Sequence, residues 1–258
     1  MITVNQLVAL GASTLNANKY VKPINDTCVR YNINTEARIC AFLCQIFEET
    51  GALSNVRIEN LNYSAKRLMQ VWPSRFKTLA STNGYVMNPT ALAEKVYGGR
   101  GDNPAGKAGL YIGRGCMQLT FYENYKACGL ALGVDLVNHP ELVSEPEYAV
   151  LTAGWFWNQA KCNEKADLDS LEGVRLVTIK VNGAEGNLKM RQDYWLKAKK
   201  LGFNLKSDTN TSVISTTGLK PLPNVVLTTE NAAEVMQHNP IVKKPSILGF
   251  IFDLFKRK

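Results

Sequence analysis

Histidine is nearly absent from this chain of 258 residues: only His139 and His238 occur. The six cysteines, Cys28, Cys40, Cys44, Cys116, Cys128 and Cys162, include no CxxC pair. Together these scarcities exclude zinc-ligand spacing and predict no bound metal. Cys40 and Cys44 stand one helical turn apart, a poor geometry for a disulfide inside a helix. All six read as reduced, mostly buried thiols of a protein made in a cytosol. The sequence also lacks a basic stretch ahead of an apolar one at Met1–Ala12, so it resembles no secretory signal. No apolar run approaches the roughly 20 residues that cross a bilayer. If the protein works outside the cell that makes it, something else lets it out.

What is present is a hydrophobic content of 45%, enough for one good-sized core with two lobes and an appendage. The formal net charge is +8. A basic surface suits a polyanion: nucleic acid, an anionic membrane, or the carboxylates and phosphates of a cell envelope. Charge alone does not choose among them.

Most segments read as helices. Thr35 is placed to cap one, with Glu36 in its first turn and Gly51 as its stop. Ile39, Phe42, Leu43 and Ile46 form its apolar stripe. Tyr63–Leu79 is amphipathic but interrupted by Pro73, and Asn83–Asn103 is turn-rich. Ala108–Leu119 reads as extended or looped. Thr120 with Glu123, and Ser144 with Glu147, fit capping boxes that open the next two helices. Leu171–Val181 and Leu188–Leu201 are the last helices of the body, closed by Gly202. Beyond it, 204–244 has the Ser, Thr, Asn and Pro texture of a linker.

Glu48 and Glu49 end the Thr35 helix, about 100° apart around it. Glu49 falls three residues after Ile46, on the apolar stripe, so it is expected to be the more buried of the two. Burial and the negative helix end both favour the protonated carboxyl that a general acid needs. Glu59 follows beyond the turn at Gly51, where a chain reversal would bring it across a cleft. Two facing carboxyls are the working parts of a glycosidase. Their spacing alone is a weak signal.

At this point the residues resemble the family 19 glycoside hydrolases, chitinase-like enzymes, and in particular their phage endolysin branch. The resemblance spans about residues 1 to 203 and rests on three motifs. Ala41-Phe-Leu-Cys-Gln-Ile-Phe-Glu-Glu-Thr-Gly51 is similar to the block holding the general acid, which falls on Glu49. At Glu48 the family usually has histidine; a second acid there implies altered tuning of the first. Glu59-Asn-Leu-Asn-Tyr-Ser64 resembles the branch's E-N-L-x-Y-S segment, which implies that Glu59 is the general base. Tyr111-Ile-Gly-Arg-Gly-Cys-Met-Gln-Leu-Thr120, followed by Asn124-Tyr125, resembles a long block that binds sugar. By that resemblance Gln118 and Asn124 bond sugar, and Thr120 holds the attacking water. Gly113 and Gly115 would let backbone approach a ligand.

Weaker matches imply a substrate-binding or base-positioning Asn182 and an Arg191 that orients the acid. Tyr111, Trp72 and Tyr97 are candidates to stack on sugars, though such aromatics more often build core; Trp72 is left out of the site.

The resemblance implies a mainly α, lysozyme-like body over 1–203, bilobed around a substrate cleft, with the smaller lobe near 54–105. It implies inverting hydrolysis of peptidoglycan glycan strands by a monomer, without cofactor, metal or nucleic acid. Release from the host cytoplasm would be holin-dependent. A chitinase of the same chemistry is the rival reading, and a non-catalytic wall- or membrane-binding lytic protein the third. The segment 245–258 combines Ile247, Leu248, Phe250, Ile251, Phe252, Leu254 and Phe255 with Lys256, Arg257 and Lys258. As a helix of about 20 Å it is too short to span a bilayer. Two outcomes stay open: it lies in an anionic membrane surface, or it folds back onto the body.

Overall fold

The computed structural model describes residues 1–56 and 58–203. The linker and the basic terminal segment read from the sequence lie outside these residues. Ten α-helices carry the described chain, and its β-structure amounts to one isolated antiparallel bridge between Arg114 and Leu119.

Two helices open the chain, Val4–Leu10 (α1) and Thr14–Arg30 (α2). Thr3 and Gln6 form a reciprocal capping box on α1, and Ser13 caps α2. Asn25 of α2 pairs with both backbone groups of Ile2, each at 2.8 Å, which pins the N-terminus. The third helix, Glu36–Thr50 (α3), is capped by Thr35 and stopped by Gly51 in the left-handed conformation, as the sequence predicts. Every residue of α3 from Ile39 to Glu48 is buried. That burial comes from a ring of neighbours: α1, α2, Pro146–Gln159 (α7), Leu171–Asn182 (α9) and Leu188–Leu201 (α10) share one core cluster with it.

The chain then crosses to a second cluster. Leu53 and Val56 belong with the α3 core, whereas Leu61 and Tyr63 belong with Leu68, Trp72, Phe76, Leu92, Val96, Tyr97 and Phe121. This second cluster is built on Ala65–Val71 (α4) and Pro89–Tyr97 (α5). Pro73 ends α4 as expected. Helix α5 corrects the turn-rich reading of 83–103: Asn88 caps it, Pro89 takes its first turn, and Leu92, Ala93 and Val96 bury its apolar side. A third cluster joins Tyr122–Leu132 (α6) to α7 through Tyr125, Leu136, Val143 and Trp155. The short helix Cys162–Ala166 (α8) completes the set.

Both later capping boxes are corrected. Helix α6 starts at Tyr122 after Phe121, whose φ of 77° and lack of side-chain cap leave Thr120 outside the helix. Helix α7 starts at Pro146, with Glu145 before it, and the Ser144 hydroxyl is buried with no hydrogen-bond partner. In each case the real boundary is set by a residue that fixes the backbone rather than by a capping hydroxyl. All six cysteines are free and buried, as predicted.

Candidate functional site

Arg191 of α10 is the hub of the site. Its side chain is 2% exposed, yet it carries a full charge, so everything around it must answer that charge. Its Nη2 donates to Glu49 Oε1 at 2.6 Å and lies 2.7 Å from Glu48 Oε2. Its Nη1 donates to Gln45 Oε1 at 2.5 Å, and its Nε to the Gly186 carbonyl at 3.2 Å. Burial pulls its pKa down, but the charges of Glu49 and then Glu48 outweigh burial and hold it above the ordinary arginine value.

The network reaches three helices. Gln45 Nε2 donates to the Thr178 hydroxyl of α9, which in turn donates to Val174 O. Asn187, the residue before α10, donates its amide to Glu48 Oε1 at 2.7 Å. The Asn182 side chain rests against Gly186, where an added Cβ would fall 1.9 Å from Asn182 Nδ2. The Gly186 carbonyl is the one Arg191 holds.

The structure thus brings Glu49 and Arg191 together, with Asn182 beside the Gly186 that Arg191 holds. It corrects the order of burial. The Glu48 side chain is 3% exposed and that of Glu49 is 10%. The stripe argument assumed a solvent flank on α3; Asn187, Arg191 and Tyr194 of the α10 segment cover that flank. Glu49 is left as the more exposed carboxylate.

Glu59 sits where the chain crosses between the two clusters. The Tyr97 hydroxyl donates to its Oε1 at 2.7 Å, and the Gly113 N–H to its Oε2 at 3.2 Å. Its own backbone N–H donates to the Gly113 carbonyl at 2.8 Å. Burial, and next the Glu59 charge, hold the Tyr97 phenol well above its usual range, so it stays a donor. Tyr97 is therefore a carboxylate-orienting residue and not an exposed stacking platform.

The segment from Gly113 to Thr120 is a tight loop closed by two backbone bonds between Arg114 and Leu119, at 3.1 and 2.8 Å. Gln118 at its tip has a φ of 51°, a conformation that costs a non-glycine residue energy. Its Nε2 donates to Gly115 O at 3.2 Å. Thr120 donates to Gln118 O at 2.8 Å, so toward a water its oxygen can only accept. Asn124 is buried and donates to Thr120 O at 2.8 Å. Gln118 and Thr120 of the loop and Asn124 of α6 thus form one bonded set, and the loop is fastened to Glu59 through Gly113.

Two expectations about this loop change. At Gly115 a Cβ would meet Val143, Ala149 O and Thr152 at 3.1 to 3.2 Å, so its close approach is to α7 and not to a ligand. Tyr111 is 3% exposed, packs edge-on against Tyr122 and Tyr125, and donates to Val137 O at 3.2 Å. Its ring is core and offers no face to a sugar. Trp72 is core too, against Tyr63 and Phe76.

Sequence reasoning did not single out Gln45 and Asn187. Each carried a signal: Gln45 stands four residues before Glu49, and Asn187 four before Arg191, both one helical turn away. Among the described residues no group of histidine, cysteine or acidic side chains is arranged to hold a metal ion.

Residues 78–175 match the family profile for glycoside hydrolase family 19, chitinase class I. That stretch includes the Tyr111–Asn124 block; Glu49, Glu59, Asn182 and Arg191 lie outside it. A glycosyl hydrolase family 19 domain-containing protein of Haemophilus influenzae is 33% identical over 153 residues, covering 58% of this chain and 72% of that protein. Endochitinase 1 of Theobroma cacao is 47% identical over 55 residues, 21% of this chain and 17% of its own. In fold, the chain resembles chitinase C from Streptomyces griseus HUT6037, with a TM-score of 0.53 and 19% identity over 78% of this chain and 91% of that one. The chain belongs to glycoside hydrolase family 19, the chitinase-like hydrolases that degrade glycans.

Proposed function

We propose that this protein is an endolysin that hydrolyses the β-1,4 glycan backbone of bacterial peptidoglycan by inverting acid–base catalysis. The observation that carries the chemistry is the pair of differently held carboxylates. Glu49 is bonded to a buried guanidinium, and Glu59 to a phenol and a backbone N–H.

Glu49 gives its proton to the glycosidic oxygen as the bond from that oxygen to the anomeric carbon breaks. Glu59 takes a proton from the water that attacks the same carbon from the opposite face. A carboxylate oxygen accepts more than one hydrogen bond, so Glu59 can hold water while Tyr97 and Gly113 fix its plane. Thr120 accepts from that water, and Gln118, Asn124 and Asn182 hold sugar. No cofactor takes part.

Charge favours peptidoglycan over chitin. The chain carries +8, and peptidoglycan bears peptide carboxylates where chitin is neutral. The six reduced, buried thiols suit synthesis in a host cytosol, followed by release onto the wall. The chain acts as a monomer, and its basic, apolar segment 245–258 engages anionic membrane. Equal liposome binding by the full chain and one ending at Lys244 would remove that last element.

The test is release of soluble fragments from purified peptidoglycan and from colloidal chitin, side by side. The expected result is wall clearance, with a fall of about 10²- to 10⁴-fold in Glu49→Gln and Glu59→Gln while both stay folded. The fragment masses then name the bond. Cleavage of chitin alone would favour the second reading, a chitinase, which the Theobroma cacao relative supports. Undiminished cleavage by Glu49→Gln would remove the acid from Glu49.

A further inference from the structure

Glu48 stands where the resembled motif usually has histidine, and the structure gives it a place in the machinery. A guanidinium Nη2 has two N–H groups in one plane. Here Nη2 donates to Glu49 Oε1 at 2.6 Å and lies 2.7 Å from Glu48 Oε2. Two carboxylates therefore divide one nitrogen.

The second oxygen of Glu48 is also provided for, at a cost elsewhere. Asn187 is the N-cap residue of α10, a position where asparagine ordinarily accepts from the first turn of the helix. It makes no such cap; its φ is 53°, and its amide donates to Glu48 instead. The Asn187 amide is thus a second fixed partner of Glu48.

We propose that Glu48 is a positioning residue for the acid: by taking half of Arg191 Nη2, it keeps Glu49 from being the sole partner of the guanidinium and so helps Glu49 retain its proton. Arg191 alone would favour the ionised carboxyl; a second negative charge on the same nitrogen opposes that. The charged and titratable groups that face the pair are Arg191 and Tyr194 from α10 and Cys44 from α3. From α9 the Thr178 hydroxyl reaches the network through Gln45. The effect is read as a change on removing one of the two carboxyls. This inference rests on Glu49 being the acid.

The experiment follows the carboxyl carbon resonance of Glu49 against pH in ¹³C-labelled protein, assigned by its disappearance in Glu49→Gln. In Glu48→Gln the midpoint is expected at least about one pH unit lower than in the unaltered chain. The basic limb of the pH–rate profile for glycan cleavage moves the same way. Asn187→Ala, which frees Glu48 but leaves its charge, moves the midpoint less. If Glu48→Gln does not fold, Glu48→His replaces it, with the same expected direction above the titration of the imidazole. An unmoved or raised midpoint overturns the proposal. So does a rate that falls equally at every pH, which marks a merely structural Glu48. A lowered midpoint in a protein that cleaves no glycan upholds the role of Glu48 and rejects the proposed function instead.

Discussion

Arg191 holds four acceptors from a place that water scarcely reaches, and no other side chain can do the same. Arg191→Met would leave Glu48 and Glu49 facing each other without a counter-charge. The expected cost is about 3–5 kcal/mol in urea unfolding, with loss of cleavage. Arg191→Lys keeps the charge but brings only three N–H groups to those four acceptors; it should recover part of the stability and little of the rate. Tyr97→Phe removes one of the two side-chain bonds of Glu59. It is expected to lower kcat about tenfold with KM little changed, because the residue orients the base rather than the sugar. At this scale the length of a motif did not decide what was legible in the sequence. Glu49, Glu59 and Arg191 stand in built surroundings; Tyr111 matches its motif equally well and proves to be core. A motif reports that a residue type is required, not whether it faces ligand or protein.

Helix packing adds its own prediction. Gly154 in α7 is so close to α2 that a Cβ would lie 2.3 Å from Thr27 Cγ2 and 2.4 Å from the Tyr31 ring. Within an exposed helix, glycine to alanine should stabilise by up to about 1 kcal/mol. Here the sign reverses. Gly154→Ala must push α2 and α7 apart and is expected to cost about 1–3 kcal/mol, read as a lowered urea midpoint with unchanged slope. The elements legible in the sequence are those bounded by local chemistry: Thr35 and Gly51 around α3, Pro73 after α4, Gly202 after α10. The ones it obscured depend on distant partners. Helix α5 hides among turn residues until its apolar side meets the second cluster. Phe121, with its positive φ, displaces the expected start of α6 because its ring is buried against Tyr97.

For the whole molecule, burial of acids that are neutral when protonated sets the alkaline limit. Burial pushes the thiols of Cys28, Cys44 and Cys116 up to about 12 from 9.0. It does the same to the phenols of Tyr20 and Tyr63, from 10.0 to about 12. Above about pH 9 the unfolded chain releases these protons while the folded one keeps them, so the folded state loses ground as pH rises. The stability that these groups contribute is complete below about pH 9 and is lost toward 12. The urea midpoint should be level to about pH 8 and fall steadily from about pH 9 upward. A thiol reagent at neutral pH should meanwhile find no reactive cysteine until the protein unfolds. A midpoint level through pH 11 would contradict this account. A last consequence comes from the two-way bonding of Glu59 with Gly113. That pairing makes Glu59, the proposed base, a passenger of the loop carrying Gln118 and Thr120, while Glu49 travels with the helices that hold Arg191. A relative shift of those two groups would therefore change the distance between the two carboxyls and leave the wiring of each intact.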